Sequence, residues 1–396
     1  MPDELTPEPS PDARPDVRLA TIAREWGRIG CVGFGGPPTH IAMLRKLAVA
    51  RERWIDEAEF EDAIAATNLL PGPASTQLAI FCAWRLRGWR GALVGGTCFI
   101  CPGLAVIIVL SAIFLANNPP TWIKGAALGA GAAVAPVAIN AALGLLPASW
   151  RRAGDVGARR VRWVLYALAG GVAAATVGTW LVLVLLGCGL VEVTITGGVR
   201  WPPGRHAFVV SPLGVVATGG LGALAWVALK VGALSFGGGF VIIPLMQADA
   251  VHHYHWMTNA QFLNGVALGQ ITPGPVVQTV SVVGYAAAGV GGALLAALIA
   301  FSPSFVFILA GARHFGTLRT NRVAQSFLGG AGPAAIGAIA GASIPLGLAI
   351  AHVWQVFVLT GALVLIVGLR RSVVLVLVAA GVIGAIGVAL GLPAGG

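Results

Sequence analysis

Two short stretches hold the residues best suited to chemistry. Residues 68–77 read Asn-Leu-Leu-Pro-Gly-Pro-Ala-Ser-Thr-Gln, and residues 270–279 read Gln-Ile-Thr-Pro-Gly-Pro-Val-Val-Gln-Thr. Proline lacks an N–H and clashes with the preceding turn, so a continuous helix does not run through either copy. At the first helical position, however, proline is favourable. Each Pro-Gly-Pro therefore predicts the end of one helical arm and the start of another. A half-helix starting near Pro73 would leave the amides of Ala74, Ser75 and Thr76 free at the positive end of the helix dipole, an arrangement that suits an anion. Ser75, Thr76 and Gln77 add neutral donors, with Asn68 and Gly72 in the same loop. In the second copy Gln278 and Thr279 do the same, with Gln270, Thr272 and Gly274 on the other side of the break. The alternative reading of one such motif is a kinked structural helix; two copies favour a site.

The two stretches belong to a longer duplication. At an offset of 202, Pro71-Gly72-Pro73 falls on Pro273-Gly274-Pro275 and Phe34-Gly35-Gly36 on Phe236-Gly237-Gly238. The same gapless offset carries Gly30 onto Gly232, Trp54 onto Trp256, Phe60 onto Phe262 and Phe99 onto Phe301. Consecutive glycines permit a sharp break and close backbone approach, so Gly35, Gly36, Gly237 and Gly238, with Thr39 and His40 following the first pair, either line a site or pack helices closely. Arg28 and Lys230 also match, each six residues before its Phe-Gly-Gly. Each repeat thus offers one cation beside a broken segment; the bland alternative is a side chain reaching to the interface. Glu25 and Arg28 are spaced to pair on one helix face.

The elements that position these residues must be membrane helices. The chain of 396 residues is 57% hydrophobic and 10% charged, with mean hydropathy +0.85, against about 25% charged residues in soluble domains. Apolar stretches long enough to span a bilayer, about 20 residues, recur along it. The net charge of +10 does not indicate nucleic acid, because the arginines sit in short loops between spans, as in cytoplasmic loops of membrane proteins. Three lysines stand against 22 arginines.

The expected architecture is an all-α polytopic membrane protein of two inverted-topology repeats. Each has about five crossing helices plus a re-entrant broken hairpin. Residues 1–17, rich in Pro, Asp and Glu, form a disordered tail. The first membrane repeat covers 18–194, a linker 195–211 and the second repeat 212–396. Asp56 is a candidate N-cap, 163–194 is long enough for two short helices broken near Gly178-Thr179, and Arg370-Arg371 separates the last two helices. Loops near 45–53, 85–90 and 151–162 are basic, whereas 250–260, 287–290 and 351–353 lack Lys and Arg and 313–322 carries three arginines. The positive-inside rule then gives the two units opposite orientation. Paired broken segments in such repeats point to a transporter's substrate site.

Other constellations carry less. Cys98-x-x-Cys101 has the spacing of a redox or zinc pair but lies in a span without further nearby Cys or His, which favours packing. His252, His253 and His255 read as a solvated turn. No Gly-x-x-x-x-Gly-Lys-Ser/Thr is present, which argues against an ATP-driven pump. After Asp249 there is no Asp or Glu, so any carboxylate proton relay draws on the first 249 residues. No catalytic set, metal site or cofactor is expected.

The motifs resemble the chromate ion transporter family in its two-unit form. They are Gly33-Phe34-Gly35-Gly36-Pro37-Pro38-Thr39-His40, Trp54 and Leu69-Leu70-Pro71-Gly72-Pro73-Ala74-Ser75-Thr76-Gln77. In the second unit they are Ser235-Phe236-Gly237-Gly238-Gly239, Pro244, Trp256, Gly269-Gln270-Ile271-Thr272-Pro273-Gly274-Pro275 and Pro303-Ser304-Phe305. The resemblance covers about 18–390. Asn68 stands where a Gln often does, and Cys101-Pro102-Gly103 replaces a Pro-Ser pair. The resemblance implies export of chromate from the bacterial cytoplasm across the inner membrane without ATP, with sulfate as a look-alike. In that reading Arg28 and Lys230 neutralise charge, the half-helices donate amides, and Glu25 or His40 carries a coupling proton. Partners are then the oxyanion and the bilayer, and a homodimer would follow general habit. A membrane enzyme or lipid-handling protein is the alternative from another class.

Overall fold

A computed structural model describes residues 17–68, 70–116, 119–154, 157–176, 181–196, 220–235, 241–312, 315 and 321–393. Among them all regular structure is helical. In the first half, α1 (Leu19–Val32) and α2 (Pro37–Arg45, running into a π-helical turn Lys46–Arg51) precede α3 (Glu57–Thr67) and α4 (Ala74–Phe114). They are followed by α5 (Thr121–Ala132), α6 (Val134–Ala153), α7 (Gly157–Thr176) and α8 (Leu181–Ile195). The second half has α9 (Leu221–Leu234), α10 (Ile242–Gln247, running into a π-helical turn Ala248–His253), α11 (Asn259–Ile271) and a 3₁₀ turn Val276–Gln278. Then come α12 (Thr279–Gly311), α13 (Arg322–Leu348), α14 (Val353–Leu363) and α15 (Val373–Ala389).

Local chemistry sets these limits. Asp56 caps α3, accepting from the Glu59 amide at 2.8 Å, as its position before the apolar run predicts. Thr258 and Gln261 form a reciprocal capping box on α11, and Asn321 caps α13. Arg370 falls between α14 and α15. The expected break near Gly178-Thr179 lies outside the described residues.

The two halves share their irregularities. Both π-helical turns start 202 residues apart, at Lys46 and Ala248. Each is followed by a non-glycine residue at positive φ, Arg53 (51°) and His255 (54°). Inside α4 the helix breaks at Arg87 (φ −139°, ψ 23°) and Gly88 (φ 60°, ψ −146°); inside α12 it breaks at Ala288 (φ −153°, ψ 32°) and Gly289 (φ 62°, ψ −151°). Here the offset is 201. The duplication is therefore not gapless: one residue is lost after Pro275, where a tighter 3₁₀ turn replaces the α-helical start at Ala74. Gly30 packs against the backbone of Phe99, whereas Gly232 packs against Ala300. Phe99 thus corresponds to Ala300, not to Phe301.

Among the described residues, four helical segments are long and apolar enough to cross a membrane, 74–114, 121–153, 276–311 and 322–348. Apolar side chains such as Val109, Leu298, Val306 and Ile344 are left exposed on their outer faces, where lipid replaces water. The chain is a polytopic α-helical membrane protein. α1 and α9, with 14 residues each, are about 21 Å long at 1.5 Å per residue, short of a hydrocarbon core of about 30 Å. The helix of the first apolar stretch ends before Gly33–Gly36, where Gly35 and Gly36 take φ of 101° and 75°.

The halves interlock. α12 packs on α4, α13 on α6, α7 and α8, and α15 on α5. Glycine allows this closeness in a bilayer, where backbone approach and van der Waals contact drive association. Gly125 and Gly129 of α5 face Gly384 and Ala380 of α15, and Gly337 and Gly341 of α13 face Ala167 and Gly171 of α7. Both pairs have the Gly-x-x-x-Gly spacing.

Candidate functional site

The two Pro-Gly-Pro loops sit at the join between α3 and α4 and between α11 and α12. Gly72 (φ 122°) and Gly274 (φ 97°) take conformations that L side chains rarely adopt. Pro73 is the N-cap of α4, one residue before the first helical position expected for it, and Ala74 opens the helix. Its carbonyl accepts from the Thr76 and Gln77 amides at 2.9 and 3.0 Å. The expected trio of free amides is therefore reduced to Ala74 and Ser75, because the first turn closes tightly on Pro73. In the second copy the Gln278 amide bonds to Pro275 O at 2.9 Å, which leaves Val276 and Val277 at the start of that turn.

Gln77 and Gln278 are structural equivalents across the one-residue slip. Gln77 Nε2 donates to Pro71 O and Gln278 Nε2 to Ile100 O, both at 2.7 Å. The second bond crosses from one half to the other. So does the bond from the Gly274 amide to Gly33 O, at 3.1 Å, and Gly36 lies beside Val276. Each loop is also covered by the opposite half's proline-bearing helix. A Cβ at Gly72 would lie 3.3 Å from Ser304 Oγ, one residue after Pro303. A Cβ at Gly103, one residue after Pro102, would lie 2.1 Å from Pro273 O. This is why a glycine stands at 103 where the second half keeps serine.

Seven buried side-chain atoms have no hydrogen-bond partner among the described residues: Thr76 Oγ1, Gln77 Oε1, Ser235 Oγ, Gln270 Nε2, Gln278 Oε1, Ser281 Oγ and Ser304 Oγ. All lie on the two broken hairpins, on α12, or at the end of α9. Leaving a buried polar group unpaired costs about 1–3 kcal/mol, so these atoms hold hydrogen-bonding capacity to spare. Ser235, Ser281 and Ser304 were not expected from sequence. The signal for Ser304 was present, since Pro102 and Pro303 are themselves a repeat pair at offset 201.

The remaining expected residues are placed as follows. His40 is fully buried, with Nε2 2.8 Å from Gly33 O and Nδ1 3.3 Å from Ser75 Oγ. Its ring meets the edge of Phe99 at 5.0 Å. Thr39 is half-buried beside Gly35. Thr272 Oγ1 bonds to Gly269 O and Thr279 Oγ1 to Val276 O. Asn68 is exposed at the end of α3, and Gly237 and Gly238 lie outside the described residues.

The ionisable residues are arranged differently from expectation. Glu25 pairs with Arg51 at 2.9 Å and Arg24 at 3.3 Å, not with Arg28, which is exposed. The π-helical turn after α2 brings Arg51 to Glu25, a contact that helix periodicity alone does not show. Lys230 is bonded to the buried Asp249 at 2.6 Å and lies over the Trp226 ring, so its charge is already balanced. The two Pro-Gly-Pro stretches, 68–77 and 270–279, carry amides and hydroxyls and no cation. Lys230→Met is expected to destabilise the protein strongly, by about 3–5 kcal/mol, because it strands Asp249. A melting curve in detergent checks this, with Lys230→Met/Asp249→Leu expected to recover most of the loss.

The chromate transporter family model matches residues 20–193 and 222–385. The chain is 31% identical to the chromate transport protein of Cupriavidus metallidurans, over 87% of each chain. It is 28% identical to the probable chromate transport protein of Synechococcus elongatus, over 84% of this chain and 86% of that one. It is also 28% identical to the chromate transport protein of Pseudomonas aeruginosa, over 87% and 85%. No solved structure matches. With both halves matched in order and nearly end to end, the chain belongs to the chromate transporter family.

Proposed function

We propose that this protein is a secondary transporter that carries chromate, or a tetrahedral oxyanion of like shape such as sulfate, outward across the bacterial inner membrane. The observation that carries this reading is the set of buried, unpartnered amides and hydroxyls on the two broken hairpins. It is supported by the names of the relatives. Half-helix N-termini directed at a polar centre suit an anion without a full countercharge. An anion held by neutral donors is also easily released, as turnover requires.

In this reading the two halves are inverted repeats, as the loop charges suggest, and each hairpin mouth is one gate. The first mouth is latched by charge: Arg45 bonds to Glu57 and Glu61, and Arg85 to Glu59 at 2.6 Å. The second carries a neutral latch at the matching positions, Gln247 Nε2 to Asn259 Oδ1 at 3.0 Å. Different latches on the two faces would let each gate open under different conditions, which alternating access needs. The test is flux of chromate in proteoliposomes containing the purified protein. Saturable movement with no ATP present is expected; no movement of chromate or sulfate above protein-free vesicles would overturn the proposal.

A further inference from the structure

We propose that His40 and Ser75 are the proton-responsive element of the oxyanion site, and that a proton on His40 Nδ1 frees the Ser75 hydroxyl to donate to the anion. This rests on the reading of the hairpins as an oxyanion site. His40 acts through Ser75 and is thus a positioning residue.

The geometry fixes the tautomer. Gly33 O can only accept, so the ring nitrogen 2.8 Å from it, Nε2, carries a hydrogen. In the neutral ring Nδ1 is then bare and accepts from the Ser75 hydroxyl at 3.3 Å. Ser75 sits in the first turn of α4, beside the Pro-Gly-Pro loop, and is buried. While its hydrogen is committed to His40, it offers an oxyanion only lone pairs, which repel. When Nδ1 takes a proton, both ring nitrogens are donors. Nδ1–H then donates to a lone pair of Ser75 Oγ, and the serine hydrogen turns away toward the site. Anion binding and proton binding thereby favour each other, as linkage requires.

The same imidazole reaches the second hairpin. Gly33 O accepts from His40 Nε2 and from the Gly274 amide at 3.1 Å. A chain therefore runs from Ser75 through His40 and Gly33 to Gly274, joining the two Pro-Gly-Pro loops. The second half has Ile242 and, across the one-residue slip, Val276 where the first has His40 and Ser75, so the element occurs once and predicts one proton per anion.

The charged groups on the elements packed around His40 are bonded elsewhere or exposed. On α1, Arg24 and Glu25 pair with each other and Glu25 with Arg51, while Arg28 is exposed. On its own element Arg45 pairs with Glu57 and Glu61, and Lys46 lies in the following turn. On α4, Arg85 pairs with Glu59, Arg87 and Arg90 are exposed, and Cys82, Cys98 and Cys101 lie along the same helix. The 3₁₀ turn Val276–Gln278 has no titratable residue.

The test is chromate binding to the full-length protein in nanodiscs between about pH 4.5 and 8.5, a range that reaches below the ordinary imidazole value because burial pushes His40 down. Three proteins are compared: wild type, His40→Gln, which keeps a donor for Gly33 O but does not titrate, and Ser75→Ala. Chromate's own protonation is common to all three and cancels in the ratios of their dissociation constants. The wild-type affinity is expected to weaken with rising pH relative to both variants, by a factor approaching ten per pH unit at its steepest, the limit for one linked proton. Constant ratios across this range would overturn the inference while leaving the site in place. So would a Ser75→Ala protein that keeps the full wild-type slope. Failure of wild type to bind chromate at any pH would overturn the site itself. If His40→Gln does not fold, the wild-type to Ser75→Ala ratio alone decides.

Discussion

A Gly337→Val protein is expected to give no folded material. A Cβ at Gly337 would lie 1.8 Å from Ala167 O on α7, and one at Gly341 would lie 2.2 Å from Gly171 O. The obstacle is backbone on both sides, so no rotamer change relieves it. α13 and α7 come from different halves, and separating them by the width of a side chain would also undo the contacts of α13 with α6 and α8. The loss is expected to exceed about 4–5 kcal/mol, the range reserved for severe core defects. Size-exclusion profiles and yield from the membrane fraction check it. Gly144 and Gly347, where a Cβ meets nothing, serve as controls and should accept alanine without loss of yield.

The second large effect concerns transport. Replacing Gln77 or Gln278 by leucine removes the amide that satisfies Pro71 O or Ile100 O and the buried Oε1 that has no other partner. An unpaired buried carbonyl costs about 1–3 kcal/mol. Spent at the site itself, such a loss lowers flux by roughly 10- to 100-fold at 1.4 kcal/mol per decade. The two variants should differ in a second respect. The Gln77 bond lies within its own loop and is only part-buried, so Gln77→Leu should lower flux with a smaller drop in melting temperature. Gln278 bonds across to the other half, so Gln278→Leu should lower both. Equal melting temperatures and wild-type flux in both proteins would show that the two glutamines are packing residues.

Much of this was legible in the sequence because it depends on local chemistry. Pro-Gly-Pro breaks a helix locally, whereas single prolines such as Pro102 and Pro303 stay inside helices, so both hairpins and their half-helix starts follow from composition at a few positions. Composition and loop charge were enough to identify a membrane protein of helices. What was not legible depends on how one half meets the other. The one-residue slip after Pro275 misaligns Phe99 and Phe301, because a single aromatic match outweighed the proline pair Pro102 and Pro303. Glu25 meets Arg51 across 26 residues only because a π-helical turn carries the arginine back. Gly103 and Ser304 touch the opposite loops through interlocking of α4 and α12, which no periodicity reveals. Lys230 looked like a free cation until Asp249, 19 residues on, was placed beside it.

The most direct test is a cryo-electron microscopy map of the protein in nanodiscs with chromate. A shared site requires density for the anion between the two Pro-Gly-Pro loops, within hydrogen-bond reach of the Ala74 and Val276 amides and the Ser304 hydroxyl. Chromate density seated instead at Arg28 or another exposed arginine, with the space between the loops closed by protein in every conformation while flux persists, would contradict it.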